Sequence, residues 1–73
     1  MKKKFKLQDL DCANCAAKME DAIRRLPGVT DATVNFMMQK LIIEADDERF
    51  DAVLDDVQRC ISRIEPDCIL VRA

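Results

Sequence analysis

Polar and apolar residues alternate at the start of the chain. Phe5 and Leu7 fall on one face, and the polar residues that flank them fall on the other. This period of two predicts a half-buried strand over residues 3–10. The same pattern predicts three further strands, at residues 29–36, 41–45 and 68–71. The short connection between the second and third strands predicts a hairpin.

Two other segments repeat apolar residues at intervals of three and four, which is the period of an amphipathic helix. The first covers residues 15–26, with Asn14 as its candidate N-cap and Pro27-Gly28 as its end. The second opens on the acids at 46–48 and ends at 65–67. Its apolar stripe consists of Phe50, Val53, Leu54, Val57, Ile61 and Ile64, and Cys60 falls within that stripe as a small buried residue.

The order of these elements is β-α-β-β-α-β. It predicts an α+β fold, a ferredoxin-like βαββαβ sandwich in which two helices cover one face of a four-stranded antiparallel sheet. With 73 residues, the chain has room for a single domain over residues 1–73. A domain of this size buries only ~60% of its unfolded surface.

Composition and charge bear on the partners, the membrane association and the compartment that we expect. The net charge of -2 gives no reason to expect a nucleic-acid partner. The basic cluster of Lys2, Lys3, Lys4 and Lys6 is interpreted as a solvated strand face, with a phosphate or lipid-headgroup patch as the alternative. No apolar stretch approaches the ~18 residues of a membrane span, so we expect no membrane insertion and no signal peptide. Four cysteines in a chain rich in charged helix formers favour a reducing cytoplasm over a disulfide scaffold.

The chemistry concentrates in Asp11-Cys12-Ala13-Asn14-Cys15, between a strand and a helix. Two thiolates at this spacing can converge on one soft metal ion, and the helix N-terminus favours their negative charge. Two thiolates alone suit Cu(I), whereas Zn(II), Cd(II) and Pb(II) need three or four ligands and accept a carboxylate. Asp11 can supply that oxygen. With Cu(I), two thiolates already leave the site with one negative charge, and an ionised Asp11 would add uncompensated repulsion. The motif therefore favours a divalent ion.

Further ligands could come from the turn after the second helix. In this topology the first and last strands are antiparallel neighbours, so Cys68, Glu65 and Asp67 are expected near the end of the first strand. We take Ile69 and Val71 as the inward residues of the last strand, which would turn Cys68 away from the helices. A plain strand-edge cysteine is then the leading interpretation of Cys68, with metal ligation as the alternative.

Other interpretations stay open at this point. The two thiols could form a redox pair, all four cysteines could close around a structural zinc, and Asp11 could be only a helix cap. Met37 and Met38 are interpreted as turn-flanking residues and not as soft-metal ligands. The chain has no histidine and no nucleophile–base grouping, so we expect a binding module and not an enzyme.

The chain resembles the heavy-metal-associated domains. The resemblance is carried by the segment from Leu10 to Lys18, by Leu26-Pro27-Gly28-Val29 and by Val34-Asn35-Phe36, and it covers nearly the whole chain. The nearest likeness is to the N-terminal metal-binding domains of zinc/cadmium/lead-transporting P-type ATPases, in which an Asp precedes the first Cys. Two positions depart from the family pattern, since Asp9 stands where Gly is frequent and Leu10 where Met is frequent.

The resemblance implies that Asp11, Cys12 and Cys15 bind Zn(II), Cd(II) or Pb(II), with Cu(I) less favoured. It also implies a monomeric domain at the cytoplasmic face of the membrane. Its partners would be other cytoplasmic or transmembrane regions of a parent ATPase, which would carry the catalytic activity. A free-standing cytoplasmic metallochaperone, including one for Cu(I), is the alternative, because it would share the same loop chemistry.

Overall fold

A computed structural model describes residues 1–72 and confirms the predicted order of elements. The strands are β1 (Lys2–Gln8), β2 (Val29–Asn35), β3 (Lys40–Ala45) and β4 (Ile69–Val71). The helices are α1 (Ala13–Arg24) and α2 (Phe50–Ile64), and a short 3-10 turn, Asp47–Arg49, precedes α2. Neither helix in residues 1–72 is long and apolar enough to cross a membrane.

The four strands form one antiparallel sheet in the order β2-β3-β1-β4, which confirms the ferredoxin-like fold. Gln8 at the end of β1 lies opposite Ile69 at the start of β4. Lys6 lies opposite Lys40, the first residue of β3 after the hairpin. The end of β1, the β2–β3 hairpin and the start of β4 therefore meet at one end of the sheet.

The core lies between the sheet and the two helices. Leu7, Leu41 and Ile43 point from the sheet into this layer and are fully buried. The helices contribute Met19 and Ile23 from α1, and Val57 and Ile61 from α2, all equally buried. The predicted amphipathic stripes are thus confirmed as the faces that pack on the sheet.

Two predicted boundaries at the helices are wrong. Helix α1 starts at Ala13 and its N-cap is Cys12, not Asn14, because the Cys12 sulfur accepts the N–H of Cys15. The acids at 46–48 do not open α2 directly, because Asp47 and Glu48 lie in the 3-10 turn and the α-helix begins at Phe50. Such tightening of a first turn is common at helix ends.

The predicted facing of the last strand is also wrong. Leu70 is its buried residue, Ile69 is 50% exposed and Cys68 is fully buried. Leu70 pairs with Leu7 of β1, and directly opposed residues of an antiparallel pair lie on the same face of the sheet. Leu7 therefore decides which side chains of β4 point inward, and Cys68, two residues before Leu70, points inward with it.

Helix side chains cover both edges of the sheet. On β2, Glu20 Oε2 accepts the Val34 N–H at 2.8 Å, and Arg24 Nε donates to the Ala32 carbonyl at 2.7 Å. On β4, Gln58 Oε1 accepts the Leu70 N–H at 2.8 Å. Unpaired backbone groups on a sheet edge can pair with other chains, and these bonds leave fewer such groups on β2 and β4.

We expect Glu20→Ala to lower the free energy of unfolding by ~1–2 kcal/mol, because it leaves an edge N–H without its charged acceptor. Asp21→Ala is the matched control, since Asp21 also pairs with an arginine one turn on (Arg25, 3.1 Å) but bonds no edge group. It should cost no more than ~0.5 kcal/mol. Urea unfolding followed by far-ultraviolet circular dichroism measures both, and equal losses would refute the role of the edge bond.

Candidate metal centre

The chain reverses direction directly after β1. Asp9 has a φ of 63°, in the left-handed region, and Leu10 then turns back into the core, where it is fully buried. A left-handed backbone favours glycine, and Asp is among the side chains that tolerate it. This conformation explains why glycine would suit position 9, and Leu10 fills a core site that Met could also fill. Both departures therefore leave the loop's path unchanged.

The Cys12 sulfur caps helix α1. It accepts the N–H of Cys15 at 3.2 Å, and the Ala16 N–H bonds the Cys12 carbonyl at 3.0 Å. Both Cys12 and Cys15 are free and half-buried. Asp11 precedes them with an exposed side chain, and its side chain is not the helix cap. The helix start thus presents two sulfurs and a carboxylate within five residues of chain.

The β2–β3 hairpin braces the loop. Gln39 has a φ of 54°, its carbonyl accepts the Leu7 N–H at 2.8 Å, and its side-chain amide donates to the Leu10 carbonyl. Sequence reasoning missed this contact, since a polar residue in a turn carries no signal for the loop it will touch. Met37 and Met38 in the same turn are 89% and 60% exposed.

Glu65 brings a second carboxylate to the loop from the end of α2. Its Oε1 accepts the Asp11 N–H at 3.4 Å, while its Oε2 is buried and has no hydrogen-bond partner in residues 1–72. After burial, the charge of Glu65 raises the pKa of Cys68, and it is a smaller contribution at Cys15. Asp67 is exposed in the turn that follows.

The two loop thiols differ in acidity. A hydrogen bond from the Cys15 side chain, reinforced by the Cys15 N–H, lowers the pKa of Cys12 below 9.0. The same bond to Cys12, followed by burial, raises the pKa of Cys15 above 9.0. As pH rises, Cys12 therefore loses its proton before Cys15 does. The nucleophilic and metal-binding form of a thiol is the thiolate.

Cys68 and Cys60 lie away from the loop, in the core or packed against it. Burial, and then the charges of Glu65, Asp9 and Asp11, raise the pKa of Cys68 to about 11, so it remains a thiol at neutral pH. Cys60 was predicted to be buried and is half-buried, packed against the core.

The sulfur atoms and carboxylate oxygens around the loop do not converge on one point. In the part of the chain that the structure describes, no three side chains of His, Cys, Asp or Glu are close enough together to hold a metal ion. The two sulfurs and the Asp11 carboxylate lie instead on a short loop whose backbone is anchored by Leu10 and Gln39, and Glu65 reaches this loop from the end of α2.

We expect iodoacetamide to alkylate Cys12 first, Cys15 next and Cys68 slowest in the reduced, metal-free protein. The reasons are that hydrogen bonds lower the pKa of Cys12 and raise that of Cys15, and that Cys68 is fully buried. The pH at which alkylation reaches half its maximal rate should be lower for Cys12 than for Cys15. Tandem mass spectrometry of quenched samples measures each site. The variant Cys15→Ala removes the thiol that donates to the Cys12 sulfur and keeps the backbone N–H of residue 15. The pH at which Cys12 reaches half its maximal alkylation rate should therefore rise. Equal rates at Cys12 and Cys15 would contradict the assignment.

The chain matches a known protein family. The model of the heavy-metal-associated domain matches residues 4–65. A cadmium, zinc and cobalt-transporting ATPase of Bacillus subtilis is 32% identical over 66 residues, which cover 90% of this chain and 9% of that protein. A zinc/cadmium/lead-transporting P-type ATPase of Escherichia coli is 43% identical over 44 residues, covering 60% of this chain and 6% of that protein. The chain thus spans less than a tenth of these relatives.

Solved structures agree on the fold. A solution structure of copper CopA from Bacillus subtilis has a TM-score of 0.73 and is 28% identical, covering 97% of this chain and 88% of that one. A solution structure of a ZiaA N-terminal variant has a TM-score of 0.79 and is 23% identical, covering 100% and 97%. With a family model that matches most of its length, this chain belongs to the heavy-metal-associated domain family.

Proposed function

We propose that the chain binds one soft divalent ion, Zn(II), Cd(II) or Pb(II), through Cys12, Cys15, Asp11 and Glu65. It does so as the cytoplasmic N-terminal domain of a metal-transporting P-type ATPase. The observation that carries the proposal is the Glu65 carboxylate, whose Oε1 accepts the Asp11 N–H and whose buried Oε2 has no hydrogen-bond partner within residues 1–72. Leaving a buried carboxylate oxygen unpartnered is costly, and a cation is the partner that relieves most of that cost.

The donor chemistry favours a divalent ion over Cu(I). Two thiolates alone can complete the coordination of Cu(I), whereas zinc takes four ligands, which here would be sulfur and oxygen atoms. Two thiolates with the carboxylates of Asp11 and Glu65 make a mixed set of four. They carry more negative charge than a monovalent ion can offset, so copper would leave repulsion between the acids and the thiolates. Cys68 stays in the core as a thiol, and Asp67 stays in solvent.

The parent protein and its activity belong to the proposal as well. The relatives named above are described as cadmium, zinc, cobalt and lead transporters, and this chain corresponds to a small part of them. In such a parent the domain would deliver metal to, or regulate, the transmembrane pathway, and ATP would be hydrolysed elsewhere. An exposed loop with half-buried sulfurs suits ligand exchange with a partner better than a closed structural site does.

A free-standing metallochaperone for Cu(I) is the second candidate. The 28% identity to copper CopA across nearly the whole chain favours Cu(I) as its ion, and the free-standing form is kept because it would share the same loop chemistry. Two tests separate the candidates. One is whether the natural polypeptide continues into membrane-spanning segments, and the other is the metal preference of the loop.

Cadmium titration of the reduced protein tests metal binding directly. The thiolate-to-metal absorption in the ultraviolet should rise to one equivalent, in a window nearly free of protein signal because the chain has no Trp or Tyr. Replacing Cys12 and Cys15 together by Ser should abolish the band while the far-ultraviolet spectrum keeps its helix and sheet content. A band that survives the double replacement would move the site elsewhere, and Cys68→Ser is the matched control that should leave it unchanged.

A second prediction concerns the two carboxylates. Asp11→Ala and Glu65→Gln should each weaken Zn(II) binding by ~10–100-fold, the range seen when a group that supports a metal site is lost. Both should leave Cu(I) binding equal or tighter. Competition with a chromophoric chelator measures the affinities.

Asp67→Asn controls for the general loss of negative charge, because Asp67 is an exposed acid two residues from Glu65. It should bind zinc like the parent. If Asp67→Asn weakens zinc as much as Glu65→Gln, the effect of Glu65 is diffuse electrostatics and not ligation. Parental zinc affinity in Asp11→Ala would remove Asp11 from the ligand set.

A further inference from the structure

The face of the sheet turned away from the helices collects lysines. Lys2, Lys4 and Lys6 alternate with the inward residues of β1, and all three are exposed. The register then adds Lys40 of β3 directly opposite Lys6. Lys3 lies on the other side of β1, with its amine 5.4 Å from the Phe50 ring centre. We call the four residues Lys2, Lys4, Lys6 and Lys40 the lysine face.

Two members of the lysine face, Lys6 and Lys40, have no acid opposite them. Like charges directly opposite on neighbouring strands destabilise a sheet, and the Lys6–Lys40 pair is of this kind. None of the ion pairs in residues 1–72 includes a lysine, since those between side chains use arginines. The acids on this face lie at the end remote from the loop of Cys12 and Cys15, where Glu44 is opposite Lys2 and Asp31 pairs with Arg24. The charge around Lys6 and Lys40 therefore awaits a negative partner outside the domain.

Apolar side chains lie between these cations. Ile69 is 50% exposed, and its neighbours on this face, Val71 and Ile42, are partly exposed. Val71 lies opposite Lys6 and Ile42 lies opposite Lys4. A lysine can lay its aliphatic stem on such a surface while its ammonium reaches a headgroup. Mixed basic and apolar surface of this kind is what an anionic membrane interface attracts.

The helix side of the domain carries both signs of charge. The turn before α2 and the outer surface of that helix carry exposed acids, among them Asp46, Asp47, Glu48, Asp51 and Asp55. Exposed basic residues lie on the same side, and two of them, Arg25 and Arg59, form ion pairs with neighbouring acids. An anionic surface would therefore attract the lysine face more strongly than the helix side, which favours one orientation.

We propose that the lysine face, with Ile69 and Val71, docks the domain on the anionic surface of a lipid bilayer. The choice of lysine favours lipid over an acidic protein, because ammonium groups are point charges that need no fixed geometry, whereas arginine suits bidentate recognition of carboxylates. Docking goes beyond metal binding and uses neither Cys12 nor Cys15. Because the metal loop follows the end of β1 next to Ile69, it would sit at the rim of the docked face.

Sedimentation with lipid vesicles tests the proposal. The 73-residue chain should bind vesicles containing phosphatidylglycerol, lose that binding at high salt, and ignore vesicles of pure phosphatidylcholine. The double change Lys6→Gln and Lys40→Gln should weaken binding by about 25-fold, at about five-fold for each lysine near the surface. It also removes the like-charge pair, so urea unfolding should show a fold at least as stable as the parent's.

The matched control changes Lys18 and Arg63 to Gln, which alters the net charge equally on the helix side, where both are exposed. It should bind vesicles like the parent. Equal weakening by the two double variants would overturn the proposal, as would a parent chain that ignores anionic vesicles. Binding to soluble polyglutamate without binding to vesicles would overturn it in favour of an acidic protein partner. The cadmium titration reads metal binding separately, so failure of docking and failure of the metal site are distinguishable.

Discussion

The hydrogen bond from the Cys15 N–H to the Cys12 sulfur fixes the start of helix α1, and the metal loop depends on it. One atom is both the cap of the helix and a proposed ligand. A cap of this kind is worth ~1 kcal/mol, whereas structural zinc sites in peptides bind with ~10 kcal/mol or more. Binding of the proposed ion would therefore outweigh loss of the cap, and the helix N-terminus favours negative charge on the sulfurs in either case.

The loop around that bond is exposed, but its supports are buried. Leu10 is fully enclosed one residue before Asp11, and Gln39 bonds the Leu10 carbonyl from the hairpin. Glu65 reaches the Asp11 N–H from the end of α2. Antiparallel pairing brings these three supports to one end of the sheet. The backbone of the loop is thus held on three sides, while the Asp11 side chain is exposed and the two sulfurs are half-buried.

Charge is organised by the same sheet. Pairing of β1 with β3 places Lys40 beside the lysines of β1. The exposed acids of α2 lie on the helix side of the domain. Side chains from the helices cover the backbone edges at β2 and β4, so the open face is the broad surface of the sheet that remains. A nearly neutral sequence thereby acquires a basic cluster on one face, because the sheet brings together lysines from two strands.

The sequence by itself determined the order and type of the elements, because periods of two and of three to four identify strands and helices locally. It also determined the placement of Asp11, Cys12 and Cys15 at a helix start. Only the tertiary structure decided the inward facing of Cys68 and Leu70, because Leu7 on another strand fixes their phase. It likewise decided the contacts of Gln39 and Glu65 with the loop. These residues lie 29 and 54 positions from their partners, and no local pattern encodes such contacts, since antiparallel pairing across the sheet creates them.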